Sequence, residues 1–310
     1  MSFLQHFFVK QHRLISRYKR LLRALTPLGQ LLNFPIAKAF WLRSDPEVCT
    51  AYQAQEKPNR LVVYPQSLPN DREDCSTSSC TPDFETNNIL FLAYAAGSEE
   101  SNRTTVARAT LDGNALSDLK VIFEVTPNKK GGGHFGGRMA FLADGTLLLS
   151  VGEGYILRED AQKKESQLGK LLRMTEMGEA PTDNPFADAP YVYSYGHRNP
   201  QGLIVDGPTQ TIWMTEHGPK GGDELNKITA GKKYGWPAIT YGVDYFGAII
   251  SPFTEAPGME QPVTYWVPSI ATSGLALYTS DAMPDLKGQL LVGGLKAKKV
   301  VAVDVSGTEA

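Results

Sequence analysis

The 310 residues combine 42% hydrophobic and 21% charged side chains with 29 glycines and 20 prolines, a globular composition rich in turn formers. This mixture excludes a disordered chain and a collagen-like one. A formal net charge of -2 supplies no basic face of the kind that neutralises phosphates, which argues against nucleic-acid binding.

That charge is unevenly spread. Residues 1–43 carry eight basic side chains and no acidic one, so the remaining 267 residues hold a net charge of -10. The apolar stretch Leu21–Leu42 is broken by Arg23, Pro27, Gly29, Gln30, Asn33, Pro35 and Lys38. It therefore fits neither the apolar centre of a signal peptide nor a transmembrane span. An amphipathic helix, a basic tail and a degraded export signal are its three readings. Cys49, Cys75 and Cys80 all precede residue 81 and match no zinc or redox spacing. A Cys75–Cys80 disulfide is one reading, and it leaves an odd thiol.

From Pro82 onward the chain becomes a series of short β-rich runs parted by Gly, Asp, Asn and Pro. Strands are predicted over Ile89–Tyr94, Thr105–Leu111, Lys120–Val125, Arg138–Leu142, Thr146–Val151, Leu171–Met174, Tyr191–Tyr195, Gly202–Val205, Thr211–Thr215, Gly274–Tyr278, Gln289–Val292 and Val300–Val305. Only Ala161–Leu168 reads as a short helix. With no recurrent βαβ alternation, the class is all-β. Three segments repeat the order turn, apolar strand, glycine exit. They are F-L-A-D-G-T-L-L-L-S-V-G ending at Gly152, V-D-G-P-T-Q-T-I-W-M-T-E-H-G ending at Gly218, and L-K-G-Q-L-L-V-G-G ending at Gly294. Blades of a β-propeller with long inserted loops account for the repeat, and a β-sandwich with similar hairpins is the rival.

Several segments carry reactive groups. In G-G-G-H-F-G-G-R, from Gly131 to Arg138, glycines let backbone approach a ligand around His134, a residue able to act as a base near neutral pH. A flexible turn holding a surface histidine explains the same residues. In Y-S-Y-G-H-R-N-P-Q-G, from Tyr193 of the strand to Gly202, Arg198 offers a planar donor fork for carboxylate and Asn199 both a donor and an acceptor. The plainer role for Arg198 is capping backbone carbonyls before Pro200. E-H-G-P-K-G-G-D-E-L-N, from Glu216 to Asn226, with Tyr234 in K-Y-G-W-P and with Asp244, supplies carboxylates and carbonyls of the calcium type rather than a zinc set. A solvated charged turn fits it as well. Lys296 follows an apolar strand and a glycine pair, and Trp266 and Pro268 suit either a pocket wall or the core.

Taken in order, these segments resemble the pyrroloquinoline quinone (PQQ)-dependent soluble aldose sugar dehydrogenases of the glucose/sorbosone dehydrogenase family. The resemblance rests on P-D-F-E-T-N-N, H-F-G-G-R, G-K-L-L-R-M, D-N-P-F, G-H-R-N-P-Q-G, E-H-G-P-K-G-G-D-E, Y-G-W-P and L-K. It implies a six-bladed β-propeller that holds PQQ and Ca²⁺ at one end of its axis. His134 would be the base acting on the sugar C1 hydroxyl, with Arg198, Asn199 and Lys296 on cofactor-binding positions. Gly218 and Pro219 would give carbonyls to the cofactor calcium, and Glu224 and Tyr234 would serve a second, structural calcium. The resemblance also implies an aldose substrate, an external electron acceptor, a monomer or homodimer, and a periplasmic or secreted location.

Two departures accompany it. Where the family has a Q-G-G-L-L-type stretch with an active-site Gln, this chain has D-C-S-T-S-S-C-T, ending at Thr81, and it stops at Ala310, before the last blade and its arginines. The expected organisation is an atypical region over 1–80, read as a leader or a frame-shifted segment, followed by an incomplete propeller over 81–310. Besides the dehydrogenase, two rivals stand: a non-catalytic propeller binding carbohydrate or protein, and a calcium-dependent sugar lactone hydrolase, against which R-N-P-Q-G speaks.

Overall fold

The computed structural model describes residues 77–113 and 115–307. Of the region expected to be atypical, residues 1–76 lie outside the described residues, as do Cys49 and Cys75 of the cysteine reading. Thr77–Cys80 form the first strand, and Cys80 carries a free, half-buried thiol.

The described residues form four antiparallel sheets, each a meander in sequence order. The first holds β1 (Thr77–Cys80), β2 (Ile89–Ser98), β3 (Ser101–Asp112) and β4 (Ala115–Glu124). The second holds β5 (Met139–Phe141), β6 (Leu147–Val151), β7 (Lys170–Met174) and β8 (Val192–Tyr195). The third holds β9 (Pro200–Val205), β10 (Ile212–Glu216), β11 (Asp223–Ile228) and β12 (Thr264–Trp266), and the fourth β13 (Thr272–Leu277), β14 (Leu290–Gly294) and β15 (Lys299–Val303). First strands of successive sheets touch, β1 against β5, β5 against β9 and β9 against β13. Inner strands gathered about one axis, with each sheet radiating outward, are the arrangement of a propeller rather than of a sandwich. The three repeated segments are β6, β10 and β14, the second strand of each of the last three sheets.

Side-chain alternation explains why these second strands are continuously apolar. Leu147, Leu149 and Val151 of β6 pack with Phe91, Val106 and Phe123 of the first sheet. Leu148, between them, points the other way, to Ile212 and Met214 of the third. On β10 the pattern recurs, with Trp213 turned to Leu290 and the fourth sheet. A strand buried on both faces has no polar side to show, so its sequence reads as a run and not as an alternation.

Differences from expectation are local. The Ala161–Leu168 helix is absent. Arg158–Gln162 form a 3-10 turn and the chain then runs in turns to Gly169, because Lys170 draws the segment together through backbone carbonyls. A single helical turn, α1, spans Phe84–Asn87. Strands β11 and β12 carry no apolar alternation and were not predicted. Among the described residues no helix is long and apolar enough to cross a membrane.

The meander sorts the connections into two sets. Turns joining first to second and third to fourth strands lie at one end of each sheet. Those joining second to third strands, and the crossings to the next sheet, lie at the other. His134, Arg198 and Asn199 sit on crossings, between β4 and β5 and between β8 and β9. Gly218, Pro219 and Lys296 sit on second-to-third connections. All six thus fall at one end of the molecule.

Candidate functional site

His134 is buried and its backbone is left-handed, φ 57°. A non-glycine residue in that region is strained and is held there by its surroundings. The holding group is Gly152, at the exit of β6, where a Cβ would overlap the His134 carbonyl and crowd Asn199 Oδ1. One residue on, Glu153 places Oε1 2.9 Å from His134 Nδ1, and Glu153 is itself only 1% exposed. A carboxylate accepting from Nδ1–H puts the basic lone pair on Nε2. Glu153 Oε2 is buried with no partner among the described residues. The sequence reading passed over Glu153. Its signal was an acid directly after an apolar strand, between two glycines.

Arg198 lies beneath this pair. Its carbonyl accepts from Glu153 N at 2.9 Å, and its Nη1 donates to the carbonyls of His217 (2.9 Å) and Gly218 (2.7 Å). The plainer reading of Arg198, as a cap on backbone carbonyls, therefore describes part of what it does. Its guanidinium also lies 5.2 Å from the Trp236 ring, and Nε is buried without a partner. Asn199 turns its Oδ1 toward Gly136 N (3.3 Å) and Gln201 Nε2 (3.2 Å). Gln201 is skipped in the β9–β10 register, where Thr215 pairs with Gly202 and Glu216 with Pro200. Such bulges re-aim neighbouring side chains next to functional sites.

Glu216, at that irregularity, is a second residue the sequence reading did not single out. One oxygen accepts from Arg198 N (2.5 Å), the other from His197 Nδ1 (3.1 Å) and Asn226 Nδ2 (3.1 Å). His197 is held from its other side by Ser194 Oγ at 2.8 Å. Serine, histidine and glutamate in this order have the connectivity of a nucleophilic triad, but Ser194 and His197 are fully buried. The set positions Arg198 and has no route to a substrate.

Gly218 N donates to Asp223 Oδ1 (3.0 Å), while Asp223 Oδ2 accepts from Ser269 Oγ (2.8 Å) and Ala271 N (2.7 Å). Lys296 N donates to Ile270 O at 3.0 Å, and its side chain is exposed. One connected path thus runs from Lys296 through the 270–271 segment, Asp223, Gly218, Arg198 and Glu153 to His134, joining positions that the sequence motifs singled out. Asp223 spends both oxygens on this framework, so the carboxylates expected in the Glu216–Asn226 segment do not form one solvated turn. Asp244 follows Val243, whose backbone pairs with Lys220 of this segment, and its carboxylate lies 3.9 Å from Arg158.

Glu224 faces Glu216 directly across β10 and β11, and both share the Asn226 amide, Glu224 Oε2 at 3.2 Å. Burial and then the charge of Glu216 push the Glu224 carboxyl up to about 8. Tyr234 stacks on His197 at 4.8 Å and commits its hydroxyl to Lys227 O (2.7 Å). Its phenol, pushed up by burial, is no metal ligand there, so any such role falls to its carbonyl. No three His, Cys, Asp or Glu side chains among the described residues could hold a metal together. The donors near Gly218 and Pro219 are carbonyls, hard oxygens that suit calcium when an anionic ligand completes the shell. The exposed Lys296 and the unpartnered Arg198 Nε suit a polycarboxylate beside it.

The glucose/sorbosone dehydrogenase family model matches residues 75–310. The chain is similar to the uncharacterized protein slr1608 of Synechocystis sp., 46% identical over 228 residues, which are 69% of this chain and 55% of that one. It is 38% identical over 235 residues to the aldose sugar dehydrogenase YliI of Escherichia coli, covering 73% of this chain and 63% of that protein. It thus spans less than two thirds of either relative. The PQQ-bound aldose sugar dehydrogenase from Streptomyces coelicolor superposes with a TM-score of 0.61 at 32% identity, over 77% of this chain and 65% of that one.

Proposed function

The chain belongs to the glucose/sorbosone dehydrogenase family, and from that membership we propose that it is a PQQ- and calcium-dependent dehydrogenase oxidising aldoses at C1 to lactones. The observation that carries the reading is the buried His134–Glu153 pair, 2.9 Å apart, tied through Arg198 to the Gly218 carbonyl. When bound, PQQ supplies the hydride acceptor and Ca²⁺ polarises it. The chain's own groups do the rest. His134 Nε2 takes the proton of the C1 hydroxyl, and the Glu153 carboxylate stabilises the imidazolium that forms. Arg198 and Lys296 complement the cofactor carboxylates, and Asn199, its oxygen held by Gly136 and Gln201, turns its amide donors to the ligand. Gly218 and Pro219 hold the calcium by their carbonyls. Glu224 and the Tyr234 carbonyl would hold a second calcium, whose charge would offset the repulsion between Glu216 and Glu224. The same reading supposes an external electron acceptor and a periplasmic or extracellular location, where calcium is available.

Reconstitution tests it: the purified chain with PQQ and Ca²⁺, a panel of aldoses and an artificial dye acceptor, each cofactor omitted in turn. Turnover that needs both is the expected result. PQQ binding without turnover would locate the fault in the catalytic geometry, and a folded chain that binds no PQQ would end the dehydrogenase reading in favour of a carbohydrate- or protein-binding propeller that has lost its cofactor site.

A further inference from the structure

We infer that Tyr155 is the platform on which the sugar ring rests beside the base. The inference rests on the dehydrogenase reading and assigns it a specificity-determining residue that the family motifs above do not contain.

Glu153, Gly154 and Tyr155 follow one another at the exit of β6. The first grips His134, and the second donates its N–H to the His134 carbonyl at 3.3 Å. The third carries its ring edge-on to the imidazole, centroids 5.0 Å apart and planes at 78°. The ring lies across Gly133, where even a methyl group would stand 3.4 Å from the Tyr155 Cβ. Tyr155 is 53% exposed although its neighbours Gly152, Glu153 and Gly154 are buried.

Its backbone is left-handed, φ 68°, an outlier for an aromatic residue. Such strain persists where surrounding contacts over-determine it, and it collects at ligand clamps. Core packing does not explain it, because half of the side chain faces water. What the conformation achieves is a solvent-exposed aromatic ring next to His134, the group proposed to take the substrate's proton. A pyranose presents a face of C–H groups, and an aromatic face is electron-rich, so the two stack without spending a hydrogen bond. The hydroxyls around the sugar edge are then left to polar partners.

The test uses the 310-residue chain loaded with PQQ and Ca²⁺, and as variants Tyr155→Phe and Tyr155→Ala. The phenylalanine variant should keep KM for aldopyranoses, whereas the alanine variant should raise it roughly tenfold with kcat at saturating sugar and PQQ affinity little changed. Saturation-transfer NMR from the protein to glucose, recorded with and without cofactors, reads the contact apart from turnover, and the alanine variant should lose most of the signal at the C–H protons. Transfer without turnover in the wild type would end the dehydrogenase reading and leave the platform standing. Unchanged KM and transfer in an active Tyr155→Ala, a fall in kcat alone, or no transfer in the wild type would overturn the platform.

Discussion

At the scale of single residues, the site is a set of charged groups whose partners decide their roles. His134 has its Nδ1 taken by a carboxylate, which selects the tautomer with basic Nε2. On the dehydrogenase reading, replacing His134 with Ala should lower kcat by about 10²–10⁴ and leave the PQQ dissociation constant nearly unchanged, since that reading has the imidazole act on substrate and not on cofactor. Steady-state rates beside an absorbance titration with PQQ check both halves, and a variant retaining full turnover would remove the proposed base. His134, Arg198 and Asn199 were conspicuous in the sequence because each stands in a compact motif. Glu153 and Glu216 were not, because an acid at a strand end looks like any solvated turn residue. Only the fold shows that Glu153 is 1% and Glu216 3% exposed. Burial turns an ordinary side chain into an obligatory hydrogen-bond hub.

At the scale of elements, the connection from β6 to β7 carries Glu153 and Tyr155, and Lys170 closes it. The Lys170 ammonium donates to the carbonyls of Leu168 (2.6 Å), Asp160 (2.8 Å) and Ala161 (3.1 Å). Burial dominates over the nearby acids and draws Lys170 down from 10.5 to about 7. Between about pH 7 and 10.5 the unfolded chain therefore holds a proton that the folded chain has released, so this group makes stability rise with pH across that window. Urea midpoints at pH 7 and pH 9 should show the rise, and Lys170→Met should lack this part of it. Equal slopes in the two proteins would mean that Lys170 keeps its proton throughout. The same element shows why a helix was expected over Ala161–Leu168: its spacing is locally helical, but buried Lys170 can be satisfied only by carbonyls that a helix would have used itself. Strand β11 was missed for a related reason. D-E-L-N-K-I reads as a polar loop, whereas its Asp223, Glu224 and Asn226 are the polar residues from which the site's framework is built.

At the scale of the sheets, stability comes from their facing surfaces, since among the described residues no strand ladder joins one sheet to the next and a single parallel bridge, Tyr195 to Lys233, ties β8 to the β11–β12 connection. Leu148 is fully buried in the layer between the second and third sheets. Leu148→Ala should cost about 2–5 kcal/mol, seen as a lower urea midpoint with an unchanged slope. A loss below about 0.5 kcal/mol, the usual range of surface substitutions, would mean that this layer is not packed as described. The all-β class and the second-strand repeat were readable because apolar runs of β6, β10 and β14 recur between turns. Strands β1, β11 and β12 were not, because nothing in their own residues records the sheet beside them. The sorting of connections has a practical corollary. A cysteine placed at Gly207, in the β9–β10 turn where an added side chain meets nothing within 4 Å, would anchor the chain to an electrode with His134, Arg198 and Gly218 at the end facing the solution. An anchor through Lys296, at the opposite end, would press those residues against the surface instead.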